Sequence, residues 1–146
     1  KILSPQKVIP AFQFEVYGAK LHDDLDNILK KMYNQSFSQF PVFNEKGEVI
    51  EIISSNTIAR WLSKQIDKDG IIVENPTVAL LIPEIEFKQN YKFIDRICDV
   101  YTAYSLFINQ IQTKNRNLDV LFITNDGKPS EKLLGLITIE DIANKV

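Results

Sequence analysis

Apolar and polar positions along the chain follow two kinds of pattern. Two segments are short apolar runs broken by a glycine turn. The first is Phe40-Pro41-Val42-Phe43-Asn44-Glu45-Lys46-Gly47, followed by Val49-Ile50-Glu51-Ile52-Ile53-Ser54. The second is Leu121-Phe122-Ile123-Thr124-Asn125-Asp126-Gly127, followed by Leu133-Leu134-Gly135-Leu136-Ile137-Thr138, with the longer loop Lys128-Pro129-Ser130-Glu131-Lys132. Each predicts a β-hairpin whose last strand runs into a hydroxyl residue that opens a helix. Each hairpin is preceded by apolar residues at helical spacing. Leu25, Ile28, Leu29 and Met32 form one such face, with Asp23 or Asp24 placed to cap it. Val100, Ala103, Tyr104 and Phe107 form the other, with Asp99 as its cap.

A weaker echo links Ile9-Pro10-Ala11-Phe12-Gln13-Phe14 to Ile82-Pro83-Glu84-Ile85-Glu86-Phe87. The spacing between copies grows from about 73 to about 84 residues, as loop insertions would make it. The chain therefore reads as two βαββα units in tandem, an α+β fold with residues 1–69 as the first repeat plus an N-terminal linker and 70–146 as the second. The seam falls at Asp67-Lys68-Asp69-Gly70, after a helix over Thr57–Gln65. One such unit has a sheet face and two helix stripes to bury, so a pair packed around one shared core with pseudo-twofold symmetry is expected.

Composition narrows the class. The chain has 146 residues, 45% hydrophobic and 25% charged, the balance of a globular protein large enough to need no disulfide or structural metal. It holds one Cys and one His, so a disulfide framework and a zinc cluster are both excluded. A reducing, cytoplasmic setting is the default expectation. No apolar run reaches the roughly 18–20 residues that span a bilayer, so no membrane partner is expected. A net charge of −2 leaves no basic footprint for direct nucleic-acid binding. The chain opens at Lys1 without Met and stops inside an expected helix at Val146, which reads as a trimmed piece of a longer protein.

The stretch FPVFNEKGEVIEIISSNTIARWL, followed by LFITNDGKPSEKLLGLITIEDIANKV, resembles a tandem pair of CBS domains, the Bateman module. Its most specific part is Gly135-Leu136-Ile137-Thr138-Ile139-Glu140-Asp141-Ile142, which is similar to the family's closing signature. Phe40-Pro41-Val42 with Gly47 resembles the family's second strand and turn, and together the likeness spans nearly the whole chain. It implies two βαββα repeats about a pseudo-twofold axis, usually assembled as a homodimer. It also implies a regulatory module, not an enzyme, that takes an adenosine compound in the cleft between repeats. The candidate ligands are AMP, ADP, ATP, S-adenosylmethionine or a cyclic dinucleotide, with no cofactor required. A conformational change would pass to an effector domain or protein. The alternative is a ligand-free platform for dimerisation or protein interaction.

The Thr-x-x-Asp run offers chemistry at a strand-to-helix junction. Thr138 can donate to a ribose or phosphate oxygen, and Asp141 can accept from a ribose diol. Ile139 and Glu140 lie between them at the helix start. The same spacing also fits a capping box that only satisfies the helix end. The resemblance implies an adenine slot between Ile82-Pro83 and the Leu121-Phe122 strand. In the first repeat the matching positions are Ser54, Asn56 and Thr57, with no carboxylate, and Glu51 stands where the signature glycine would be. A weaker first site follows, and about one competent site per chain. Asp119 occupies the position before the second strand where phosphate-gripping members often carry a basic residue, and it would repel a phosphate at close range. Lys114 and Arg116 lie just upstream and can substitute.

Other singular residues have ordinary readings. His22 is a surface or cap neighbour, and Cys98 a buried structural thiol. Trp61 fits an interface anchor or the core equally, and Tyr101, Tyr104 and Phe107 form a core or dimer stripe. Arg60, Lys145 and the acids Asp23, Asp24 and Asp26 read as solvated surface. No paired acid and base, activated nucleophile or metal cluster supports catalysis.

Overall fold

A computed structural model describes residues 6–67 and 74–145. The chain forms two compact units, one of residues 17–89 and one that joins the segment up to Val16 with the segment from Asn90 onward. The seam expected at Asp67–Gly70 lies, from Lys68 on, outside the described residues. Residues 74–89 therefore pack with the first hairpin, and residues 6–16 with the second. The cause is apolar. Val78, Leu81 and Ile85 are buried in the first unit, Val8 and Phe12 in the second.

In the unit 17–89, β1 (Ala19–Lys20) runs parallel to β2 (Gln39–Phe43), which pairs antiparallel with β3 (Val49–Ser54). Helix α2 (Leu25–Gln35) joins β1 to β2, and α3 (Ser55–Asp67) follows β3. Leu25 and Ile28 of α2 are buried, with Leu29 and Met32 packed beside them, as the spacing predicts. Asp24 holds the N-cap position without a side-chain cap bond, while the Asp23 carboxylate accepts the Lys20 N–H at 2.9 Å. The hairpin turns at Gly47, whose φ of +81° is open to glycine at no steric cost. Trp61 is buried against Phe40, Val42 and Ile53, which settles it as core of this unit. A 3₁₀ segment, Val78–Glu84, closes the cluster.

The second unit repeats the order. Its α1 (Val8–Ala11) precedes β4 (Tyr91–Asp95), α4 (Val100–Lys114), β5 (Val120–Thr124), β6 (Gly135–Ile137) and α5 (Ile139–Ala143). Strand β4 is parallel to β5, and β5 antiparallel to β6. Asp99 caps α4, its carboxylate accepting the Thr102 N–H at 2.8 Å. Strand β6 is shorter than the expected run Leu133–Thr138. The preceding loop folds on itself instead, because the Glu131 carboxylate accepts the N–H groups of Asp126 and Lys128. Those bonds hold the Glu131 carboxyl below its usual range. Among the described residues, the buried side chains of each unit form a cluster of their own.

The N-terminal segment closes the second unit along β6. Gln13 bridges Gly135 in antiparallel fashion, and the Phe14 N–H donates to the Leu134 carbonyl at 3.1 Å. A Cβ on residue 135 would run into the Phe12 carbonyl oxygen, so only glycine admits this approach. At the foot of β4 and β5 the buried Asn90 and Gln110 meet the half-buried Asp119. The Asn90 amide donates to the Asn117 carbonyl at 2.7 Å and accepts from Gln110 Nε2 at 3.0 Å. Burial pushes the Asp119 carboxyl up, with a hydrogen bond to Asn90 and the Arg116 charge partly offsetting it.

Two outcomes follow. Gly135→Ala should destabilise the chain by about 2–3 kcal/mol in urea unfolding, since backbone must move to admit the methyl. For Asp119 the folded chain keeps a proton that the unfolded chain sheds near pH 4. Its contribution to stability therefore falls as pH rises from about 4 through the raised folded value. Urea midpoints measured across that window should fall less steeply for Asp119→Asn than for the parent chain.

Candidate functional site

The strand-to-helix junction after β6 is built from both of its neighbours. Ile137 and Ile142 are fully buried on either side of it and fix its place on the second unit's core. Between them the Thr138 hydroxyl accepts the Asp141 N–H at 3.3 Å, and the Asp141 carboxylate, through Oδ2, accepts the Thr138 N–H at 3.3 Å. This is the reciprocal capping box that the spacing allowed. Thr138 and Ile139 are half-buried, while Glu140 and Asp141 are exposed. The junction thus presents a carboxylate to solvent from a backbone held still by its own cap. It is a hydrogen-bond acceptor site suited to a hydroxyl pair.

The flanking residues fall on two faces. The register Leu121↔Ile137 sets Leu121 beside the junction. Leu121 turns into the helix-facing core and is fully buried. Phe122 faces the opposite side of the sheet, 5.5 Å from the Tyr91 ring and 5.4 Å from the Phe93 ring. Tyr91 and Phe93 are partly exposed, Phe122 not at all. Ile82 and Pro83 lie in the 3₁₀ segment of the other unit, where Ile82 packs on that unit's core and Pro83 is exposed. Asp119 stands just before β5, and its carboxyl engages Asn90. Its charge is therefore tied into the unit's polar group.

The first repeat has the same junction with different groups. The Ser54 hydroxyl accepts the Thr57 N–H at 3.3 Å and lies 3.2 Å from the Thr57 hydroxyl. Thr57 is only 3% exposed, so the pair is sealed into the unit, while Asn56 is exposed. Glu51, at the position that matches Gly135, is buried. Its carboxylate accepts the Ile52 N–H at 3.0 Å and takes the Gln89 N–H with both oxygens at 3.0 Å. A carboxylate here does the joining that close backbone approach does at Gly135. No local pattern announces this bond, since its partners stand 38 residues apart.

The remaining singular residues take ordinary places. Arg60 donates to the Glu84 carbonyl at 3.0 Å and pairs with Glu86 at 3.4 Å, so it is a local strut. Lys114 and Lys145 are exposed, and Arg116 is half-buried. His22 lies at the surface, 3.9 Å from Asp23 and from Glu45. Cys98 is half-buried rather than buried; burial pushes its thiol up, with Asp99 and Asp95 adding to the effect, and Sγ donates to the Asp99 carbonyl. Tyr101 is exposed, Tyr104 half-buried and Phe107 in the core. A hollow of about 400 Å³ lies beside the start of α2, between His22, Asp24, Asn27 and Lys31, and one of about 230 Å³ lies between Asp95, Arg96 and Asp126. Among the described residues no group of three or more His, Cys, Asp or Glu could hold a metal ion, and no helix is long and apolar enough to cross a membrane.

Comparison with known proteins gives the architecture its place. Residues 15–64 match the family model of the CBS domain. No curated protein matches the sequence. Among solved structures, a signal-transduction protein with CBS domains from Burkholderia ambifaria aligns with a TM-score of 0.61 and 15% identity, over 89% of this chain and 81% of that one. The CBS domain pair of protein MJ0100, in complex with 5′-methylthioadenosine and S-adenosyl-L-methionine, aligns with a TM-score of 0.63 and 16% identity, over 97% and 95% of the two chains. CBSX2 in complex with AMP aligns with a TM-score of 0.61 and 15% identity, over 95% and 94%. The junction sequences, the two βαββα units and these likenesses agree: the chain has the fold of a tandem CBS pair, with residues 15–64 matching the CBS domain model.

Proposed function

We propose that the chain is a regulatory module that binds an adenosine-containing small molecule at the Thr138–Asp141 junction and relays the change to an effector domain or protein. The observation that carries this reading is the exposed Asp141 carboxylate, held by a reciprocal cap on a buried strand end. A ribose diol is the hydroxyl pair that such an acceptor fits. The likeness to CBS pairs solved with AMP, and with S-adenosyl-L-methionine and 5′-methylthioadenosine, supports an adenosine compound as the class. The first repeat offers two hydroxyls bonded to each other, with Thr57 buried, and no carboxylate. One ligand per chain follows. Regulation requires that the ligand favour one arrangement of the module over another.

A second reading has its own support. Both junctions close on themselves as helix caps, which is all that a ligand-free interaction platform would need of them.

Calorimetry separates the two. Adenosine, AMP, ATP, S-adenosylmethionine and cyclic di-AMP are titrated into the chain. At least one should bind below millimolar concentration with a stoichiometry near one. Asp141→Ala should weaken it by about 10- to 100-fold, the worth of hydrogen bonds to a charged group. Thr138→Ala should cost about 1 kcal/mol of stability through the lost cap. If none of the five binds below millimolar concentration, and Asp141→Ala alters only stability, the platform reading stands.

A further inference from the structure

The three long helices meet solvent in different ways. Helix α2 carries Asp26, Lys30 and Lys31 on its exposed side, and α3 carries Arg60 and Lys64. Helix α4 carries no Asp, Glu, Lys or Arg from Val100 to Thr113, in a chain that is 25% charged. Val100, Ala103, Phe107 and Gln110 fill its buried side. Beside them runs a second row, Ile97, Tyr101, Tyr104, Ile108 and Ile111, whose steps of four, three, four and three residues are those of a helix-to-helix seam. Ile97 is 70% exposed, Tyr101 57% and Ile111 37%, with Tyr104 and Ile108 half-buried. Ile97 precedes the helix, and the Asp95 carboxylate accepts its N–H at 3.0 Å, so this exposed isoleucine stands on held backbone. Aromatic and aliphatic side chains at the surface with charge withdrawn from around them are the composition of an interface centre.

We propose that this row is a seam on which a second copy of the chain docks, α4 against α4 in antiparallel order. The row is self-complementary about Tyr104. Ile97 comes opposite the partner's Ile111, and Tyr101 opposite the partner's Ile108, so each apolar residue meets another. A two-fold pairing of one surface with itself requires that property. Charged residues resume at the ends of the row, with Asp95, Arg96 and Asp99 at its start and Lys114 after it. Antiparallel order sets Lys114 toward the partner's Asp95 and Asp99 and opposes the two helix dipoles, whereas parallel order sets like ends together. A partner with a charged helix face would bury those charges against isoleucine and tyrosine, a desolvation cost that a second copy does not incur. The inference does not depend on a ligand at Thr138 and Asp141.

Sedimentation equilibrium of the intact chain between about 5 and 500 μM reads the association directly. A reversible monomer–dimer equilibrium is expected. Ile97→Lys and Tyr101→Lys should each weaken it by at least about tenfold, since each puts an unpaired charge into the seam. Both side chains are more than half exposed, so neither change disturbs the core, and unchanged urea midpoints at low concentration check this. Tyr33→Lys and Ile66→Lys alter side chains 87% and 72% exposed outside the row. They should leave the dimer constant within about twofold. A chain that stays monomeric throughout overturns the proposal and leaves the row to a helix of another protein. A dimer that survives Ile97→Lys and Tyr101→Lys, or that Tyr33→Lys or Ile66→Lys dissolves as readily, overturns it as well.

Discussion

The backbone of Phe12 and Gln13 lies against Gly135 with no room for a side chain between them. Much of the second unit depends on that approach. It seats Phe12 in the core beside Ile137 and Ile142, and those two residues set the junction from which Thr138 and Asp141 project. It also draws residues 6–16 into a unit otherwise made from the far end of the chain. A methyl group at 135 would push on backbone, not on the flexible end of a side chain, so the unit has no cheap way to yield.

The first unit meets the same need with different chemistry. Glu51 stands where glycine would, and its buried carboxylate reaches across to the Gln89 N–H. A charge-assisted bond of this kind is worth roughly twice a neutral one, and desolvating the carboxylate is what opposes it. Two N–H donors, of Ile52 and Gln89, meet the buried carboxylate at 3.0 Å and offset that cost. At the junctions the difference runs the other way. Asp141 keeps its carboxylate at the surface, whereas Thr57 turns a hydroxyl inward toward Ser54. The two repeats share an outline and differ in which junction exposes a carboxylate.

Local features were legible in the residues alone. The glycine turns at Gly47 and Gly127, the helix faces of α2 and α4, the Asp99 cap and the Thr138–Asp141 box all stand where spacing put them. These depend on neighbours within a few positions, and periodicity reports such neighbours. Features set by distant partners were not legible. Nothing near Val8 or Val78 says which hairpin each segment will cover, and Glu51 gives no sign of Gln89. Trp61 was balanced between interface and core until burial against Phe40 and Ile53 decided it. Position alone makes Asp119 a charge that would repel a phosphate. Its bond to Asn90 ties it to the unit's own polar group.

The proposed site predicts that only the junction with an exposed carboxylate, at Asp141, responds to a ligand. A two-dimensional ¹H–¹⁵N titration of the chain with AMP, repeated with S-adenosylmethionine, tests this in one sample. With at least one of the two, the amides of Thr138 to Asp141 should shift in a saturable manner while those of Ser54 to Thr57 stay in place. Equal shifts at both junctions, or shifts at neither with both compounds, would contradict the account.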